Sequence, residues 1–251
     1  MSVAYFDCFS GIAGDMILGA LIDLGVDEKI LIKELKKLPL TGYELIVKKV
    51  ERNHISATDV MVVVTEDQHH RSLSDINDIL KRSTLEPMVK KLSSDIFYKL
   101  GKAEAKIHNV PIEDVHFHEV GAVDSIIDIV GSVIAVTLLD IDTIYCSPLP
   151  LGHGFVSCEH GMLPLPAPAT VELLKGIPVY SVDRDQETVT PTGAAVITTL
   201  ASSFGEMPLM KIKHIGYGSG KTPSTYPGLL RVFLGEIVHK SHKIHTRKRR
   251  K

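Results

Sequence analysis

No apolar run in this 251-residue chain reaches the roughly 18–20 residues that a membrane-spanning helix needs. Cysteine is scarce: Cys8, Cys146 and Cys158 are odd in number and widely spaced. None stands in a C-x-x-C pair, which argues against a structural zinc site and fits a reduced compartment. There is no G-x-S-x-G elbow, so a Ser/His/Asp hydrolase has little support. Neither a dinucleotide fingerprint nor a P-loop is present. Residues 1–7 carry no basic n-region and no long h-region, so a cytoplasmic location is expected. No repeat and no low-complexity linker interrupts the chain before residue 239.

What is there is a composition of 44% hydrophobic and 23% charged residues, that of a globular protein. The net charge of -2 hides an asymmetry. Residues 239–251 hold seven Lys or Arg and no acid, leaving 21 basic against 30 acidic residues, or -9, for residues 1–238. An acidic body suits a protein that handles cations and argues against a nucleic-acid groove. The tail, with His239, His242 and His245 at regular spacing, is expected to be a solvated, disordered extension.

Short apolar runs alternate with helical patterns from end to end. Strands are predicted at Val3 to Cys8, Thr143 to Cys146, near Val179, over Met210 to Gly216 and over Leu229 to Leu234. Tyr43 to Arg52 and Ser56 to Thr65 alternate and are joined by Asn53-His54, the pattern of a β-hairpin. Helices are predicted from Asp15 to Leu24, from Asp27 to Lys37, after Ser72 or Ser74, and from Pro87 to His108. Further helices are predicted from Ile126 to Leu139, Ala167 to Leu174 and Gly193 to Ser202. The expected fold is α/β or α+β, a mixed sheet with interleaved helices and an early hairpin. It forms one domain over residues 1–238, with residues 239–251 as its tail.

The richest chemistry lies in His116-Phe117-His118-Glu119 followed by Asp124 and Asp128. In an extended segment His116 and His118 share a face. A helix starting near Val123 puts Asp124 and Asp128 on one face at i, i+4. Imidazoles and carboxylates converging there would suit a divalent transition metal. A strand end with satisfied histidines and a capped, solvated helix fits the same residues. Asp7 to Asp15 reads as strand, Gly-rich turn and helix start, open to an anion or, through Asp7 and Asp15, to a hard cation. A tight turn with Asp15 as cap explains it equally. Cys158, Glu159 and His160 offer soft and borderline ligands, with His153 nearby; a hairpin with a buried cysteine competes. His69-His70 fits an exposed loop better than a metal-capturing one. Thr190-Pro191-Thr192-Gly193 could cradle an anion or simply cap a helix through Thr192. Gly216 to Lys221 reads as a Gly-rich turn with a cation.

Five blocks share one order with a known family. They are Asp7 to Met16, His116 to Gly131, Tyr145 to Gly152, Pro164 to Thr170 and Thr190 to Ala195. Together they resemble the nickel-insertion proteins of nickel-pincer nucleotide biosynthesis, which mature the cofactor of lactate racemase. The resemblance runs from Val3 to Gly235. It implies a chelatase of the lyase class that inserts nickel into pyridinium-3,5-bisthiocarboxylic acid mononucleotide, forming Ni–S bonds and a Ni–C bond and consuming CTP with Mg²⁺ or Mn²⁺.

On that reading His116, His118, Glu119, Asp124 and Asp128 hold nickel, with Asp7, Asp15, Cys158 and His160 as further candidates. Glu119 or His118 takes the ring proton. Ser10, Gly11, Gly14, Thr190, Thr192 and Gly193 meet the substrate phosphate. Full-length members continue into a C-terminal domain associated with CTP. Here a Lys/Arg-rich tail stands where that domain is expected, so a separately encoded or frameshifted partner domain is the expectation. A homo-oligomer is left open. Two other classes also stay open: a nickel storage protein or metallochaperone, and a metal-dependent hydrolase of a phosphorylated small molecule.

Overall fold

The computed structural model describes residues 1–66, 71–117, 122–158, 161–222 and 225–238, and for His116 and Cys158 the backbone alone. His69-His70 and the tail from residue 239 lie outside the described residues.

The first strand, β1 (Ser2–Asp7), runs into the Gly-rich turn and then α1 (Gly14–Asp23). α2 (Glu28–Leu35) starts where expected because Asp27 Oδ1 accepts from the backbone N–H of Lys29 at 2.8 Å and of Ile30 at 3.2 Å. β2 (Tyr43–Arg52) and β3 (Ile55–Val64) form the anticipated hairpin, in register from Tyr43 opposite Val64 to Arg52 opposite Ile55. Its two turn residues, Asn53 and His54, have φ of 49° and 62°, the left-handed pair that a type I′ turn requires.

β4 (Arg71–Ser72) leads into α3 (Leu73–Arg82), closed by a capping box between Ser72 and Asp75. α4 (Pro87–His108) has proline in its first turn and ends on Asn109 in the left-handed conformation. β5 (His116–Phe117) pairs with β4, setting His116 opposite Ser72. α5 (Val123–Leu138) is apolar almost all round and is correspondingly buried.

The rest of the chain alternates short strands with two helices. In order they are β6 (Thr143–Cys146), β7 (Leu149–Leu151), β8 (Phe155–Cys158), β9 (Gly161–Pro164) and α6 (Pro168–Leu173). Then come β10 (Val179–Ser181), α7 (Pro191–Leu200), β11 (Ala201–Phe204), β12 (Met210–Ser219) and β13 (Leu229–Ile237).

Seven strands make one mixed sheet in the order β11-β6-β1-β13-β12-β3-β2. β1 is parallel to β6 and antiparallel to β13, so its carboxyl end opens beside a change of strand direction. α1 lies on β12 and β3, α5 packs on α1, and α4 packs against α5, α6 and α7. This is an α/β fold with a mixed sheet and an early hairpin, as the sequence predicts. No helix among the described residues is long and apolar enough to cross a membrane.

Two local expectations are corrected. The last helix was expected to run to Ser202, but α7 stops at Leu200, because Ala201 to Phe204 pair with β6 as an edge strand. Gly216 and Gly218 belong to β12 rather than to a turn. A Cβ on Gly218 would stand 1.8 Å from the Met16 carbonyl oxygen, so glycine is what lets α1 lie this close to the sheet.

Candidate functional site

The site forms where the turn after β1 meets the chain leading into α7. Gly11 N–H donates to Cys8 O at 2.9 Å and Ile12 N–H to Thr188 O at 2.8 Å, while Thr190 N–H returns to Ile12 O at 3.1 Å. Gly11 has φ of 111° and would carry a Cβ 1.9 Å from Thr188 O, so this interlock depends on glycine. Thr190, not Thr192, caps α7: its Oγ1 accepts from Gly193 N–H at 3.1 Å. The N–H groups of Gly11, Ile12 and Gly193 are therefore engaged inside the protein.

Asp15 is the second residue of α1 rather than its cap, a position held by Ala13 without a side-chain hydrogen bond. Across from it, α5 presents Asp124 and, one turn on, Asp128, as the i, i+4 spacing predicts. Asp128 packs onto Gly14 so closely that a Cβ there would lie 2.8 Å from Asp128 Oδ2 and 2.9 Å from Thr192 Cγ2. Gly14, Asp15, Asp124, Asp128, Thr190, Thr192 and Lys221 line one cleft of about 270 Å³.

Its electrostatics are those of an acidic hollow with one internal cation. Lys221 Nζ donates to Val60 O at 2.6 Å, pairs with Asp59 at 2.5 Å and stands 3.8 Å from Asp15 Oδ2. Burial pushes the Asp15 carboxyl up to about 6, with Lys221 drawing it down and Asp59 adding to the rise. Asp128 is raised well above the usual carboxylate range, first by burial and then by Asp15 and Asp124. The Asp128 residue keeps part of its surface open to the cleft, while its carboxyl is desolvated.

Among the described residues no three His, Cys, Asp or Glu side chains close into a complete metal-ligand set. Asp15, Asp124 and Asp128 share a cleft without doing so. His118 and Glu119, expected to complete the set, lie outside the described residues, as do Glu159 and His160. Asp7 lines neither this cleft nor the smaller one beside it; Arg231 holds its Oδ2 through Nε at 3.0 Å and Nη2 at 2.5 Å. His153 turns to Asp183 at 3.1 Å. Cys8 and Cys146 are buried free thiols with sulfurs 3.6 Å apart, and burial pushes the Cys146 thiol far up.

Sequence reasoning missed Asp59 and the pairing of Arg231 with Asp7. Both pair residues distant in sequence: Asp59 of β3 with Lys221 just beyond β12, and Asp7 of β1 with Arg231 of β13. Lys221 was legible only as a basic residue after glycines, not as the counter-ion of the acidic cleft.

The raised Asp15 gives a prediction about stability. The fold favours the protonated form, so this group's contribution is fully present below the unfolded value of 3.8 and lost as pH rises through about 6. Asp15→Asn is expected to be more stable than wild type at pH 7.5, by at most about 3 kcal/mol, with no advantage near pH 4. Urea unfolding at both pH values measures it. A variant less stable than wild type at pH 7.5 would contradict the burial cost.

Comparison with known proteins bears on what such a cleft serves. Residues 4–250 match the model of the family described as nickel insertion protein. A relative from Desulfitobacterium hafniense, strain DCB-2, named pyridinium-3,5-bisthiocarboxylic acid mononucleotide nickel insertion protein, is 51% identical over 238 residues, covering 95% of this chain and 59% of the relative. Proteins of the same name from Acetivibrio thermocellus and Geobacillus kaustophilus are each 49% identical. They cover 96% and 94% of this chain, and 62% and 60% of their own lengths. The chain thus spans about three-fifths of the length of these curated relatives. No solved structure matches it. On the family match and on identity near one residue in two, this chain belongs to the nickel insertion protein family.

Proposed function

We propose that the chain handles nickel and the organic substrate in nickel insertion into pyridinium-3,5-bisthiocarboxylic acid mononucleotide, the molecule in its relatives' names. The whole protein is then a chelatase that builds the nickel-pincer cofactor of lactate racemase and consumes CTP with Mg²⁺ or Mn²⁺. The observation that carries this reading is the convergence of Asp15, Asp124 and Asp128 on one cleft, with α5 beginning just after the segment bearing His118 and Glu119.

Carboxylate and imidazole bind Ni²⁺ well enough to load it, and the softer thiocarboxylate sulfurs of the substrate draw it onward. Forming the Ni–C bond releases a ring proton and changes no oxidation state. Glu119 or His118 is proposed to take that proton. A divalent cation also supplies the positive charge that crowded, desolvated carboxylates require.

Calorimetric titration of the purified chain with Ni²⁺, with and without the bisthiocarboxylate mononucleotide, tests this. Stoichiometric nickel binding that changes with the nucleotide is the expected result. Nickel binding indifferent to the nucleotide would point to storage instead, and absence of nickel binding would sink the reading.

A further inference from the structure

α1 begins without a side-chain cap, and Ile17 N–H, bonded to Ala13 O at 3.0 Å, is the first to find a helical acceptor. Met16 N–H donates to Asp15 Oδ1 at 2.8 Å, so what the start of this ten-residue helix turns outward is the positive end of its dipole. Beside it lies a second cleft of about 170 Å³, whose lining includes Ser10, Asp15, Glu187, Thr190 and Lys221. Ser10 is only 4% exposed, and its hydroxyl has no hydrogen-bond partner among the described residues. A buried hydroxyl left unpaired is destabilising, and a ligand atom bonded to it would recover that cost.

Size and charge narrow the ligand. Small-molecule sites usually span roughly 300–1,000 Å³, so this cleft accommodates one end of a ligand rather than the whole. It shares Ala13, Asp15, Thr190 and Lys221 with the acidic cleft, which accommodates the remainder. Its wall mixes one ammonium with the carboxylates of Asp15 and Glu187. That disfavours a bare polyanion and suits a molecule carrying an anionic group and a cationic ring together.

We propose that the smaller cleft is the phosphate subsite for a pyridinium mononucleotide, with Ser10 Oγ and Lys221 Nζ as its donors and the positive end of the α1 dipole beside them. The cationic ring then reaches past Asp15 into the acidic cleft, where the metal would meet it. This rests on the reading that the protein takes a pyridinium mononucleotide, and it fixes that molecule's orientation.

Nicotinate mononucleotide, a pyridinium ribotide, is the probe, titrated by calorimetry into the metal-free full chain beside uridine monophosphate, whose base is uncharged. The pyridinium nucleotide is expected to bind more tightly. Ser10→Ala and Lys221→Met are each expected to weaken it about 10-fold or more. Ser10→Ala should keep or raise Tm, because it deletes an unpaired hydroxyl. Undiminished binding in Ser10→Ala overturns the proposal, as does a loss of stability there, which would reveal an internal partner for the hydroxyl. Equal affinity for the two nucleotides, or no binding to wild type, overturns it too. Nickel titration of the wild-type chain is read separately: its failure removes the metal from the acidic cleft and leaves the phosphate subsite to the nucleotide result.

Discussion

Replacing Asp128 by Ala is expected to lower nickel affinity by about 100-fold or more, since even the outer partners of a metal ligand are worth roughly 10–100-fold. Asp128 is a carboxylate whose surroundings resist a bare negative charge. Burial raises it first, and Asp15 and Asp124 add to the rise. Without a metal the fold favours the protonated carboxyl, whereas a divalent cation would supply the missing charge. Nickel binding should therefore release protons and weaken as pH falls. Calorimetry in two buffers of different ionisation enthalpy reads both effects. Asp128→Asn separates charge from shape. It preserves the packing against Gly14 and removes the group whose ionisation the fold resists, so it should lose nickel yet be at least as stable as wild type at neutral pH. Wild-type nickel affinity in both variants would take Asp128 out of the site.

The parts of this molecule that local patterns control were legible in the sequence. Asn53-His54 fixes the hairpin turn, the apolar stripe from Pro87 to His108 makes α4, and the spacing of Asp124 and Asp128 puts both on one face of α5. The parts that depend on sheet order were not. Asp15 meets Asp128 only because α1 and α5 pack together, and Asp7 is held by Arg231 only because β1 lies beside β13. The glycines misled for a related reason. A glycine-rich run ending in Lys221 looks like a turn, whereas Gly216 and Gly218 are strand residues kept bare by an overlying helix. The Gly-rich turn after β1 suggests open backbone donors, but Cys8 N–H bonds Ser147 Oγ, Gly11 N–H bonds Cys8 O within the turn and Ile12 N–H bonds Thr188 O. What it leaves for a ligand is a side chain, Ser10, which no motif marks as unpaired.

Gly218→Ala should be among the most disruptive of the Gly→Ala changes in the scaffold. Its Cβ would stand 1.8 Å from Met16 O and 2.6 Å from Ala20 N, both backbone atoms of α1 that cannot rotate aside. The same helix is pinned from neighbouring positions. A Cβ on Gly19 would meet Thr58 O at 2.5 Å, and one on Gly216 would meet Ala20 O at 2.3 Å. Relief requires α1 to lift from β12 or the strand to buckle. Forcing atoms into such a contact costs about 3 kcal/mol, at the upper end of overpacking. For a chain of this size that is a fall in Tm of about 6–12 °C. Gly25 supplies the control. It has φ of 117° with nothing within 4 Å of its would-be Cβ, so Gly25→Ala should cost only the conformational penalty of about 1–2 kcal/mol. Because α1 carries Asp15 into both clefts, lifting it should weaken nickel binding in Gly218→Ala and leave it intact in Gly25→Ala. A Gly218→Ala protein that melts with wild type would show that α1 does not rest on β12 as closely as this packing requires.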